Sequence, residues 1–506
     1  MRYIVPQSPG REKYHPIEST LDTVAKIREL ERVARQLDPP GEQRQALMSA
    51  VGDYAQAFLA ALPEAKTYTR DGGHNGFSDY PLQDAPTEIS ELLQFFRHEV
   101  DTTGILPASG GQMGYIPGGG LCPSALGDCL ADISNRYSGV SFAGPGAARM
   151  EGALVRWMCE LVGYPGSAAG DLTSGGSIAT LSALVAARDA RGIGPAEIPG
   201  ACIYLTRQAH HCIDSALHVA GLGAVQKRIV PMDTHYRLDI PELERLIGQD
   251  LERGARPWLV VGSAGTTDTG AIDPISAIAK VASQHGLWFH LDAAYGGFFL
   301  LCEEGRERLR GIERADSIVM DPHKGLGIPY GSGAVLVRQG ALLAESFSYY
   351  ADYLQDAKRP GYDAEADYAP ADFSAELTRP FRGPRMWFPL KLFGLAPFRA
   401  ALAEKIWLAR YFYDKVSALE GFQTGPYPDL SIVTFRYLPR DGDANEFNRR
   451  LLAAVHEDGK VFITSTLIDG EFTLRLAALN FRTHLANVDY LLELLQRLAA
   501  ELDAPG

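Results

Sequence analysis

At 506 residues the chain is long enough to bury a large core and to hold about two or three domains. Hydrophobic residues make up 46% and charged residues 22%, the balance of a soluble globular protein. The 48 basic and 62 acidic side chains leave a net charge of −14, which argues against a general nucleic-acid or anionic-membrane binder.

The cysteines, at 122, 129, 159, 202, 212 and 302, form no Cys-x-x-Cys pair, so neither a metal site nor a disulfide framework is expected. Reduced thiols fit a cytoplasmic protein. The start, Met1-Arg2-Tyr3-Ile4-Val5-Pro6, has too few apolar residues for a signal peptide. No apolar run approaches the roughly 20 residues that span a bilayer. The expectation is a soluble chain with neither membrane nor nucleic-acid partner.

Residues 1–120 read as an N-terminal helical segment. Leu21 to Leu37 and Arg44 to Leu62 carry apolar residues at three- and four-residue spacing, with Pro39-Pro40 between them. Glu88 to Val100 reads as a third helix. A glycine-rich stretch follows, with Gly110-Gly111 and then Gly114-Tyr115-Ile116-Pro117-Gly118-Gly119-Gly120. It suits either a flexible linker or a backbone that passes close to something. Tyr115 and Ile116 among the glycines favour a pocket wall.

Residues 121–390 form the expected large domain. Its strand candidates are Cys202 to Leu205, Trp258 to Val261, Leu287 to Leu291, Ser317 to Met320 and Ala334 to Val337, alternating with helical segments. Such alternation predicts a mainly parallel sheet covered by helices, with ligands outside the carboxyl ends of the strands. Residues 341–380 are a long polar stretch suited to a lid or binding loop. A long helix is expected from Arg385 to about Leu419. Residues 391–506 read as a small α+β domain with strands Ser431 to Phe435 and Phe472 to Leu476 and helices Ala444 to Asp458 and Ala486 to Leu502.

Five polar clusters follow the apolar runs. Thr173-Ser174-Gly175-Gly176-Ser177 opens a helix, so free N–H groups and the positive dipole end are offered to an anion, with Ser177 and Thr180 as hydroxyl donors. No Gly-Lys-Ser/Thr follows, which excludes a Walker loop. His210 and His211 come next, then the hydroxyl turn Gly265-Thr266-Thr267-Asp268-Thr269-Gly270. Asp292 ends a strongly apolar run, where a carboxylate is costly unless paired. Lys324, in Asp321-Pro322-His323-Lys324-Gly325, follows another apolar run. Burial there is expected to lower its pKa and favour imine chemistry. Each cluster alone also has an ordinary reading, as a capped turn, a structural ion pair or a surface lysine.

The order of these clusters resembles the group II pyridoxal phosphate (PLP)-dependent decarboxylases, which include the aromatic-L-amino-acid, histidine and glutamate decarboxylases. The resemblance runs from about Tyr115 to the end and is most specific over 173–338. It implies the aspartate-aminotransferase fold (fold type I), with a mainly parallel seven-stranded sheet, helices on both faces and a small C-terminal α+β domain. It also implies a homodimer with its active site at the subunit interface. Lys324 would carry the cofactor, Asp292 would pair with the pyridinium nitrogen, and His210 would stack on the ring above Ala294. Gly176 and Ser177 would hold the phosphate, helped by His323, and Thr266 would contact ring substituents. Tyr115, Ile116 and Pro117 would line the substrate side-chain pocket, and Arg379 would hold the substrate carboxylate. Tyr353, with Tyr349 and Tyr350 close by, would protonate Cα after CO₂ leaves.

The implied reaction is decarboxylation of an L-amino acid with an aromatic or other apolar side chain. An oxidative aldehyde synthase and an acidic-amino-acid decarboxylase are the alternatives. Four features depart from the family pattern. Asp321 stands where many relatives have asparagine, and Gly325 where many have tryptophan. Cys212 replaces a common serine. Leu106-Pro107-Ala108-Ser109-Gly110 lacks the tryptophan and histidine of the aromatic enzymes.

Overall fold

The computed structural model describes residues 20–73, 75–348 and 368–504. The chain divides into two units by its internal contacts. The first holds residues up to Ala61 and Asn75–Thr102; the second holds the remainder.

The first unit is helical: α1 (Thr20–Ala34), α2 (Gly41–Ala61) and α3 (Ile89–Phe96). These match the three periodic segments, and the break before α2 falls at Pro39-Pro40. Apolar residues of α1 and α2, including Ile27, Leu30 and Met48, are more than half exposed.

The second unit is built on a seven-stranded sheet. In chain order its strands are β1 (Ala169–Thr173), β2 (Ala201–Leu205), β3 (Gln226–Ile229), β4 (Arg256–Ser263), β5 (Trp288–Asp292), β6 (Ser317–Met320) and β7 (Gly333–Val337). The spatial order is β1-β7-β6-β5-β4-β2-β3. β7 runs antiparallel to both its neighbours, and the other pairings are parallel. β2, β6 and β7 are buried along their whole length, as continuous apolar runs require in a sheet covered on both faces. Two apolar clusters pack against the sheet, one around Phe289, Phe298 and Leu291, the other around Leu184, Leu259 and Val335.

The second unit also carries a four-stranded antiparallel sheet. Its strands are β8 (Phe422–Thr424), β9 (Ile432–Tyr437), β10 (Thr464–Ile468) and β11 (Glu471–Ala477), ordered β8-β9-β11-β10. Helices Ala444–Asp458 and Leu485–Leu502 cover it and share a core with Phe412 and Phe435. The single long helix expected from Arg385 is instead two, Gly383–Phe393 and Ala396–Ser417. Gly394, at φ 67, supplies the left-handed residue that turns the chain between them.

Candidate active site

Four parallel strands and one edge strand deliver their following residues to one end of the sheet. β1 feeds the helix Gly176–Ala190, here α4, β2 feeds His210, and β4 feeds Thr266. Asp292 ends β5 and Lys324 follows β6. The register keeps them level: Ser263 pairs with Asp292, and Asp292 with Val319. They surround a cavity of about 280 Å³ lined by Gly176, Ser177, His210, Thr266, Asp292, Ala294, His323 and Lys324.

At one end of the cavity lies the start of α4, whose first N–H groups have no partner within the helix. Gly175, at φ 155, makes the turn into it. The approach is tight: a Cβ on Gly333 of β7 would come within 2.6 Å of the Gly175 Cα. Backbone donors aligned with the helix dipole suit a phosphate.

Lys324 Nζ is 2.9 Å from Asp321 Oδ2. Burial disfavours the ammonium, but the charges of Asp321 and Asp292 and the hydrogen bond to Asp321 outweigh it, and the lysine pKa is raised. This corrects the expectation of a lowered value: a neighbouring carboxylate in the same turn was not part of that argument. Asp321 is buried, and its Oδ1 has no hydrogen-bond partner among the described residues. Gly325 also finds its reason. A Cβ there would lie 2.6 Å from the Cβ of Phe298, which fills the adjoining core.

His323 Nδ1 is 2.5 Å from the Ser332 carbonyl oxygen, which can only accept, so Nδ1 carries a proton. Burial holds its pKa below the ordinary histidine value, the nearby Asp321 charge partly opposing. His210 Nδ1 accepts from the Cys212 N–H at 3.2 Å, which places the proton of the neutral ring on Nε2. Burial lowers this pKa too, against the pull of Asp292. A neutral imidazole at the cavity wall suits stacking on a flat, electron-poor ring. Asp292 Oδ1 accepts from the Ala294 N–H at 3.1 Å. Thr266 Oγ1 is 2.7 Å from Thr269 Oγ1.

The remaining sequence candidates stand elsewhere. Arg379 does not line the cavity. Its side chain is fully buried, pairs with Asp171, lies 3.3 Å from Glu151 and donates to the Leu172 carbonyl. The structure places it with two carboxylates and away from the cavity wall where a substrate carboxylate was expected to meet it, and its Nε has no partner among the described residues. Tyr115, Ile116 and Pro117 also lie off the cavity wall. Tyr115 is exposed, and its carbonyl is held by Arg475 at 3.1 Å. The glycine-rich stretch does pass close to the site: a Cβ on Gly118 would meet the His323 carbonyl oxygen at 1.8 Å. Tyr349, Tyr350 and Tyr353 lie outside the described residues.

The cavity also exposes residues that sequence reasoning passed over. Tyr295 lines it, with its hydroxyl 2.7 Å from Ser431 Oγ, and burial pushes its pKa up to about 12. Its position three residues after Asp292, at the same strand end, was the available signal. Ser263, the last residue of β4, is there for the same reason.

A helix N-terminus for an anion, a lysine amine, a carboxylate for a ring nitrogen and a neutral imidazole fit a flat phosphate-bearing pyridine aldehyde. Comparison with known proteins agrees. The model of the pyridoxal-dependent decarboxylase conserved domain matches residues 82–438. The chain is 30% identical over 448 residues to an aromatic-L-amino-acid decarboxylase of Bacillus atrophaeus, covering 88% of this chain and 92% of that protein. It is 30% identical over 376 residues to a phenylacetaldehyde synthase of Arabidopsis thaliana, covering 72% and 76%. The crystal structure of Oryza sativa TDC with PLP and tryptamine superposes with a TM-score of 0.86 at 25% identity, over 92% of this chain and 99% of that one. The chain therefore belongs to the pyridoxal-dependent decarboxylase family, lyases that remove CO₂ from amino acids with pyridoxal phosphate as cofactor.

Proposed function

We propose that this protein decarboxylates an aromatic L-amino acid to its amine, with Lys324 as the cofactor-bearing residue. The observation that carries this reading is the meeting of Lys324, Asp292, His210 and the α4 N-terminus in one cavity. Relatives named for aromatic substrates, such as a tyrosine decarboxylase of Arabidopsis thaliana at 32% identity over 346 residues, support the substrate class.

Pyridoxal phosphate, when bound, supplies a carbonyl for amine exchange and a sink for the electron pair left at Cα as CO₂ departs. The chain's residues do the rest. Gly176 and Ser177 hold the phosphate through backbone N–H groups and a hydroxyl. Asp292 holds the ring nitrogen in its charged form, which deepens the sink. His210 and Ala294, both on the cavity wall, would hold the cofactor ring between them. Lys324, ion-paired with Asp321 at 2.9 Å, must give up a proton before its amine can act as nucleophile. A tyrosine of the 349–353 stretch returns a proton to Cα.

We also propose a cytoplasmic homodimer with the active site at the subunit interface. Leu126, Leu130 and Ile133 form an exposed apolar stripe on the helix Cys122–Ser134, which supports an apolar partner surface. All six cysteines are free, which supports a reducing compartment. Among the described residues no helix is long and apolar enough to cross a membrane.

Holoenzyme assayed against a panel of amino acids should release CO₂ and amine in equal amounts, fastest with an aromatic substrate. Release of aldehyde and hydrogen peroxide instead would select the second reading, an oxidative aldehyde synthase, which the Arabidopsis thaliana relative favours. Light scattering checks the dimer; a monomer at assay concentration would refute it.

A further inference from the structure

The cavity holds one group at odds with an anion site. Asp321 is buried, lines the cavity and leaves Oδ1 without a partner among the described residues. Its carboxylate lies against the start of α4: a Cβ on Gly176 would come within 2.8 Å of Oδ2. On the other side a Cβ on Gly333 would lie 2.8 Å from Oδ1. A negative side chain thus stands where the helix dipole and free N–H groups attract a phosphate. Both charges cannot share so small a buried space without compensation.

We propose that Asp321 makes phosphate capture proton-coupled: the ester enters the α4 N-terminus together with one proton from solvent, which the carboxylate takes. An O–H bond forms at Asp321, which then donates to a phosphate oxygen. Lys324 keeps its ammonium and turns from the carboxylate to the incoming anion. The inference rests on the PLP site proposed above.

The other groups that face Asp321 do not compete for this role. From its own turn come Lys324 at 2.9 Å and His323 Nε2 at 3.8 Å. His210 and Cys212 face it from the segment after β2, Asp292 stands at the end of β5, and Arg385 acts on His323 from the helix Gly383–Phe393. Gly176 of α4 and Gly333 of β7 approach it without side chains, and neither adds a titratable group. Burial keeps both histidines below their ordinary range and pushes the Cys212 thiol up to about 12, while the carboxylates hold Lys324 charged. Near neutral pH and above, these four groups keep their charge in the empty site.

Cofactor-free full-length protein is titrated with pyridoxamine 5′-phosphate, which has no aldehyde to react with Lys324, and with pyridoxamine, which has no phosphate. The range runs from about pH 7 to about pH 9, above the second ionisation of a phosphate ester near 6. Calorimetry in buffers of different ionisation enthalpy counts the protons. Wild type should take up about one proton more with the phosphate ester than with pyridoxamine, and its affinity for the ester should fall by up to about tenfold per pH unit. Asp321→Asn should lose that extra proton, flatten the profile and bind the ester at least about tenfold more tightly near pH 9. Pyridoxamine affinity should differ little between the two proteins. No extra proton in wild type overturns the proposal without recourse to the variant, so misfolding of Asp321→Asn cannot shelter it. An unchanged slope in the variant, or weaker ester binding at every pH, overturns it as well. Wild type that binds no ester at any pH defeats the PLP site itself; binding without proton uptake defeats only the role of Asp321.

Discussion

Two of the buried charge clusters in the second unit differ in what surrounds them. Arg379 sits between Asp171 and Glu151, fully enclosed, with one donor on the Leu172 carbonyl, while its Nε and Glu151 Oε2 have no hydrogen-bond partner among the described residues. Lys324 pairs with Asp321 at the wall of a cavity, and one oxygen of that carboxylate is unpartnered among the described residues. The first cluster lies off the cavity wall, so its unpartnered atoms face no space that a ligand could fill. The second is open on one side, and its incomplete hydrogen bonding is what a ligand can complete. Burial of a charge is therefore no signature of function; the unsatisfied remainder beside a cavity is.

The contrast can be broken at either cluster. Lys324→Ala should lower decarboxylation by about 10⁴-fold or more, the scale of losing a covalent nucleophile, and abolish the visible band of bound cofactor. Full turnover in that variant would remove Lys324 from the chemistry. Arg379→Met should instead cost about 3–5 kcal/mol of stability in denaturant titration, because two carboxylates lose their partner. A raised KM with unchanged stability would return Arg379 to substrate binding.

Asp292→Asn should reduce kcat by about 10²–10³-fold with the fold intact, as expected for one preorganised electrostatic partner. A loss below threefold would show that the ring nitrogen needs no anion here. His290, two residues earlier on β5, tests a sealed position of the same strand. It is fully buried, its Nδ1 lies 2.9 Å from Ser317 Oγ, and burial lowers its pKa to about 4. Because the folded value lies below the unfolded one, its contribution is present above about pH 6.5 and is lost as pH falls toward 4. About 3 kcal/mol of stability should disappear over that window. His290→Gln should remove this part of the acid transition; an unchanged transition would refute the assignment. At the small end, Arg497→Ala, which breaks an exposed pair with Glu501 at 3.0 Å, should change stability by no more than about 0.5 kcal/mol.

Much of the fold was legible because buried parallel strands announce themselves as continuous apolar runs. All five strand candidates of the large sheet are strands, and Ser317–Met320 agrees to the residue. The two that escaped have physical excuses. β1 is Ala-Gly-Asp-Leu-Thr, with little strand preference of its own, and it lies at one edge against β7. β3 is Gln-Lys-Arg-Ile, a polar strand at the other edge. Site residues were legible for a topological reason: parallel strands bring whatever follows them to a common end. Arg379 was not, because its motif follows no strand and its sequence cannot tell which neighbours enclose it. Tyr115 to Pro117 likewise stand off the wall of this cavity, since glycine spacing reveals close passage but not which side chain turns inward.

The reversed direction of β7 has a consequence for how the lysine is held. His210, Thr266 and Asp292 each follow a strand whose neighbours in the sheet are reached through long crossovers. Lys324 lies in the connection between two adjacent antiparallel strands, Ser317–Met320 and Gly333–Val337. Its anchor points are close along the chain, so the loop they close costs little entropy. In native-state hydrogen exchange the amides of 317–337 should protect as one cooperative hairpin, distinct from the segments that bring the other site residues. The reactive amine is thus mounted on the most local piece of an otherwise long-range assembly.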